Sequence, residues 1–180
     1  MKSRQITVGE RVFTVRVDGP DSRHSVLLFP DSGDPADVFD KVCERLHNSD
    51  LRTVVVESVD GLEPADVHAI LDEVGVPYVN VAGRGAGAAL AWRLCAGPFG
   101  RFMSLVVADA GHPAVDGAAV APMELPVTML VSNRTPRATA DASGRYVYGE
   151  FRVVPVDVDD IAADADAELA TEIVLRTSLW

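Results

Sequence analysis

"YVNVAGRGAGAALAWRLCAG", Tyr78 to Gly97, decides the fold. It reads as a hydrophobic strand, a glycine-dense turn and an amphipathic helix in direct succession. Turns of this kind usually hold a nucleophile or a phosphate. Here Gly83, Gly85 and Gly87 take alternate places, and the apex residue is Gly85, which tolerates a positive φ and carries no reactive atom. The bend is kept while its apex offers no chemistry.

Upstream, "QITV" and "RVFTVRV" are rich in β-branched residues and are separated by Gly9-Glu10, which predicts an antiparallel hairpin closed off by "DGPD". "SVLLFP", Ser25 to Pro30, is a continuous apolar run, as expected of a strand covered on both faces. A helix with Val38, Val42, Cys43 and Leu46 on its apolar side leads to the next buried strand, "TVVVES". Pro64 then opens a helix stopped by Gly75. Downstream, "FMSLVVAD" ends at Asp109, a Gly-, Ala- and Pro-rich connection leads to "VTMLVSN", a short helix is predicted around Ala138 to Ala142, and "FRVVPV" is the last strand. A C-terminal helix is predicted over roughly Ile161 to Arg176.

This alternation specifies an α/β fold: a mostly parallel, doubly wound sheet with an antiparallel N-terminal hairpin at one edge. With 180 residues and 48% hydrophobic content, one domain spanning 1–180 is expected. No secretion leader or membrane span is read, so a soluble, cytoplasmic protein is expected. A net charge of −11 disfavours nucleic acid as a partner, and neither a metal nor a cofactor is implied. Cys43 and Cys95 read as buried, reduced thiols. Seven carboxylates between Asp157 and Glu172, with no base among them, read as a solvated helix face.

The order of these pieces, with "VDGPD" and "VLLFPDSGD", resembles the opening of the α/β-hydrolase family, and "VHAILDEVGVPYVNVAGRGAGAALAWRLCAGPFGRFMSLVVAD" resembles its nucleophile-elbow region. The resemblance covers nearly the whole chain and is strongest from Val67 to Asp109. It implies a Ser-His-acid triad at three loops, and none of the three roles is filled. Gly85 stands at the nucleophile position, "SNRTPR" follows the strand where the acid belongs, and "DVDDIAADAD" follows the strand where the histidine belongs. Pro30-Asp31 replaces the family's His-Gly, which puts Ser32 at the oxyanion position. The loop after Asp109 is too short for a cap domain, implying a shallow or open pocket.

Three readings follow. The first is a non-catalytic member of that fold, acting as a small-ligand-binding or protein-interaction module. Asp31, Ser32, Arg84, Ala86, Asp109 and His112 are expected around the vestigial pocket, where Arg84 and the amides of Ser32 and Ala86 would favour a small carboxylate or phosphate. The bland counterpart for Arg84 is a salt bridge to Asp31 or Asp109. The second reading is an esterase-like hydrolase with a relocated site: Asp109 and His112 in one loop, with Ser32 or Ser58 approaching from neighbouring strand ends. Its bland counterpart has His112 capping a turn and Asp109 accepting backbone N–H bonds. The third treats Gly83, Gly85 and Ala88 as a G-x-G-x-x-A dinucleotide fingerprint with Asp109 as its acid. Trp92 and Trp180 read as core or interface residues, and a homodimer or another protein is a candidate partner.

Overall fold

The computed structural model describes residues 2–97 and 100–177. Trp180 lies outside them. Eight strands form one sheet in the order β1-β2-β4-β3-β5-β6-β7-β8. The hairpin expected from the sequence is β1 (Lys2–Val8) and β2 (Arg11–Asp18), paired antiparallel in a register that sets Lys2 opposite Val17. β2 also runs antiparallel to β4 (Arg52–Val56). From β4 onward every pairing is parallel, through β3 (Ser25–Phe29), β5 (Val79–Arg84), β6 (Phe102–Ala108), β7 (Val127–Val131) and β8 (Phe151–Pro155).

Side chains alternate across a strand, so each central strand feeds two cores. Leu27, Phe29, Val54, Val81, Leu105 and Met129 face one side, where they pack against α2 (Pro64–Glu73) and α3 (Gly85–Cys95) through Val67, Ile70, Ala88, Ala91 and Trp92. Val26, Leu28, Val55, Ala82, Val106 and Leu130 face the other, covered by α1 (Asp40–Asn48) and the C-terminal helices through Val42, Leu46, Leu169 and Ile173. α4 (Arg137–Ser143) bridges β7 to β8. The doubly wound arrangement read from the sequence is therefore the observed one, and among the described residues no cap domain interrupts it. No helix among the described residues is long and apolar enough to cross a membrane.

Three local expectations are corrected. The first helix begins at Asp40, so Val38 lies ahead of it, although it still packs on the core. The C-terminal helix is two: α5 (Ile161–Asp164), capped by the Asp160 side chain, and α6 (Asp166–Thr177), with Ala165 leaving helical geometry between them at φ −132°. The acidic run is also not simply a solvated face. Asp166 pairs with Arg45 at 2.5 Å, and Glu172, which is buried, pairs with Arg152 at 3.1 Å. Both thiols are free and buried as expected, and burial pushes Cys43 up to about 11 and Cys95 up as well, which makes them inert.

Candidate functional site

β5 runs extended to Arg84, the chain turns at Gly85 with φ +52°, and α3 starts at once. The turn is tight enough that its glycines have separate steric reasons. A Cβ on Gly87 would lie 2.3 Å from the Pro30 carbonyl oxygen and 2.6 Å from that of Phe29, and one on Gly83 would lie 2.9 Å from the Ala88 nitrogen. α3 thus crosses the ends of β3 and β5 at backbone distance, which only residues without side chains permit.

Gly85 differs, because what fills the space around it is a side chain. A Cβ there would fall 2.0 Å from the carboxyl carbon of Asp31. That carboxylate reaches over from the loop after β3, and its Oδ1 accepts hydrogen bonds from the backbone N–H of Ser32 and of Ala86, both at 2.8 Å. These are the two amides that the sequence singles out as anion donors, and the expectation that they present a free anion site is corrected: the protein fills it with its own carboxylate. An amide at the first turn of a helix favours negative charge there, so the occupant suits the site chemically. The Asp31 N–H in turn donates to Asp34 Oδ2 at 2.7 Å, and the Ser32 hydroxyl donates to Asp60 at 2.7 Å. Ser32 is thereby committed to a carboxylate away from His112.

Arg84 flanks the apex, but its partners are neither Asp31 nor Asp109. It donates both terminal nitrogens to the two oxygens of Asp160 at 3.1 Å and lies 3.4 Å from Asp34 through Nε. This fork ties the loop after β3, the elbow and the loop after β8 into one strap. Burial works to raise the Asp160 carboxyl, but the Ala163 N–H and the Arg84 guanidinium outweigh it and hold the group below the usual carboxylate range. With two carboxylates on it, Arg84 is not the unspent cation that a bound anion would need.

Asp109 and His112 share a loop, as read, yet they do not form a dyad. Asp109 adopts φ +56°, and its Oδ1 accepts the Ser132 N–H at 2.7 Å, bracing the end of β6 against the loop after β7. His112 turns inward and is fully buried, stacked on Tyr146 at 4.9 Å between ring centroids and edge-on to Trp92 at 5.0 Å. Its Nδ1 accepts from the Ala114 N–H and its Nε2 lies 3.1 Å from the Ala121 carbonyl oxygen, so both ring nitrogens are used by backbone. Burial lowers its pKa against a smaller raising effect of the Ala121 carbonyl, which keeps the ring neutral. The relocated Asp109/His112 site is therefore not assembled. Ser58 does not approach it either, since its hydroxyl accepts the Asp60 N–H at 3.2 Å.

The dinucleotide reading meets the same obstacle as the anion site. A pyrophosphate at the start of α3 would need the Ala86 amide and the space above Gly85, both taken by Asp31. Clefts open to either side of the elbow. One of about 500 Å3 is lined by Arg11, Asp34, Glu57, Ser58 and Asp60, and another of about 350 Å3 by Ser132, Asn133, Arg137 and Asp157. Neither is lined by Gly85 or Ala86.

Comparison with known proteins bears on the fold. An enol-lactonase from Burkholderia xenovorans LB400 superposes with a TM-score of 0.81 at 13% identity, over 97% of this chain and 100% of that one. Epoxide hydrolases of the α/β-hydrolase superfamily from hot-environment metagenomes reach 0.83 at 9% identity, over 99% of both chains. The mouse α/β-hydrolase domain-containing protein 10 reaches 0.77 at 12% identity, over 100% of both. The chain has the α/β-hydrolase fold. No family model matches its sequence, and no curated protein matches it.

Within that fold the elbow after β5 carries Gly85, the loop after β7 begins Ser132-Asn133-Arg134, and the loop after β8 ends at Asp160, the partner of Arg84. Sequence reasoning located the Ser32 and Ala86 amides, Arg84 and the elbow itself. It missed the role of the Asp31 carboxylate, and it missed Asp34, Asp60 and Asp160. The available signal was the pair of acids in "PDSGD", directly after a buried strand that the fold sets beside β5.

Proposed function

We propose that this α/β-hydrolase-fold protein is a cytoplasmic, non-catalytic module that acts by binding a small ligand or another protein chain. The observation that carries the reading is the Asp31 carboxylate, which accepts from the Ser32 and Ala86 amides and stands where a nucleophile's side chain would emerge from position 85. An acyl-transfer site needs an attacking atom and free donors for the oxyanion. Gly85 supplies no attacking atom, and the donors are already spent. Two buried, reduced thiols are in keeping with a reducing compartment.

The second reading is hydrolysis by groups recruited from elsewhere, favoured by the hydrolase activities named for the structurally similar proteins, an enol-lactonase and epoxide hydrolases among them. It requires a nucleophile and a base outside the positions considered above. Purified wild-type protein assayed on short-chain p-nitrophenyl esters, beside Asp31→Ala and His112→Ala, separates the two. The expected result is a wild-type rate no higher than buffer, with no burst of nitrophenolate. Turnover in the wild type above the buffer rate, retained by both variants, would establish the hydrolytic reading instead, and its loss in either variant would return the chemistry to Asp31 or His112 and overturn the non-catalytic reading as well.

A further inference from the structure

At the other end of the strands from the elbow, a cleft of about 310 Å3 opens where β3, β5 and β6 begin and α6 ends. Its walls are mostly apolar. Tyr78 and Met103 contribute to them while remaining 60% and 41% exposed, large hydrophobic surfaces left in water. Three polar side chains line the same cleft although they are nine-tenths buried: Ser25 at 5% exposure, Asn80 at 7% and Thr177 at 5%, the last with its hydroxyl donating to the Val174 carbonyl. Asn80 Oδ1 accepts from the Ser104 hydroxyl at 2.7 Å, which leaves its amide N–H groups unspent, and the Ser25 hydroxyl has no partner among the described residues. Neither atom is sealed from the cleft, since the Arg16 Nε is the buried side-chain atom left unpartnered among the described residues. Both atoms are therefore open to whatever occupies the cleft, water or a ligand that replaces it.

Charge narrows the ligand class. The chain carries a net −11, and eight of its fourteen arginines pair with carboxylates among the described residues, Arg11 with Asp66 and Arg176 with Glu150 among them. Arg23, exposed at the mouth of the cleft, has no carboxylate partner among the described residues. An apolar wall, donors that open onto the cleft and an unpaired guanidinium at the rim suit one kind of occupant. We infer that this cleft binds a small amphipathic carboxylate, its hydrocarbon body against Tyr78 and Met103 and its carboxylate accepting from Arg23 and the Asn80 amide. The size of the cleft lies at the lower end for ligand pockets, which limits the body to a medium-length alkyl chain or a single aryl group. The site is separate from the elbow and does not depend on whether the elbow is inactive.

The test is a titration of the 15N-labelled full chain with octanoate, followed by 1H–15N NMR, with octanol as the uncharged comparison. Octanoate at roughly millimolar concentration is expected to shift the Asn80 side-chain NH2 signals and the amides of Arg23, Ser25, Tyr78 and Met103, and to leave Ala86 in place. Arg23→Glu and Tyr78→Ala, both at exposed positions, are each expected to weaken binding about tenfold or more, and octanol to bind at least about tenfold more weakly than octanoate. Absence of shifts would overturn the proposal, as would shifts that Arg23→Glu leaves unchanged. If the same signals moved on dilution of the protein alone, the cleft would belong to a second copy of the chain and the proposal would fail. None of these outcomes bears on the ester assay, which reads the opposite edge of the sheet.

Discussion

Gly87→Ala is expected to leave little folded protein, with a loss of more than about 4 kcal/mol of stability. A methyl at that position meets the Pro30 and Phe29 carbonyl oxygens at 2.3 and 2.6 Å, and both are backbone atoms. β3 cannot yield, because it is paired on one side with β4 and on the other with β5. Relief would require α3 to lift away from the sheet, which opens the core around Ala88, Ala91 and Trp92, all fully buried. Domains of this size hold only about 5–15 kcal/mol in total, so such a lift takes a large share of it. Denaturant titration of the variant measures the loss. A cost below about 1 kcal/mol would show that helix and strands do not pass as closely as described.

The second large effect concerns Gly85 and Asp31 as a pair. Gly85→Ser alone is expected to cost about 2–4 kcal/mol, from a side chain at φ +52° and from expulsion of the Asp31 carboxylate off two backbone amides. Asp31→Gly alone is expected to cost about 1–2 kcal/mol, since those hydrogen bonds are partly exposed. The double variant is expected to be more stable than the sum of the two losses by at least about 1 kcal/mol, because the serine then enters space already vacated. Simple additivity would contradict the shared occupancy. The double variant is not expected to hydrolyse esters, because His112, with both ring nitrogens held by backbone, supplies no base.

The fold was legible because its signals are local. "SVLLF" and "RTVVV" are continuous apolar runs, and they form strands buried on both faces. The alternate glycines from Gly83 to Gly87 announced a bend that the backbone makes at that place. The content of the site was less legible, because it depends on pairs distant in sequence. Asp31 meets Ala86 across 55 positions, and Arg84 meets Asp160 across 76. No pattern within a loop states which of several acids will reach which amide. His112 illustrates the same limit. Its place after a strand suggested the reactive edge, but Tyr146 and Trp92 offer it an aromatic slot, and the ring turns into the core. The break at Ala165 was also hidden, since "IAADADAELA" contains neither glycine nor proline. What divides the helix is the Asp160 cap on α5 and a fresh start at Asp166, which Arg45 holds.

The central claim is that the Asp31 carboxylate holds both elbow amides. Amide hydrogen exchange at Ser32 and Ala86, measured by NMR in the wild type and in Asp31→Ala, addresses it most directly. The two amides are expected to be protected in the wild type and to lose that protection together in the variant, with the exchange of core amides such as those of Val81 and Leu105 unchanged. Wild-type exchange at both amides as fast as in an unstructured chain, or protection that persists without the carboxylate, would contradict the account.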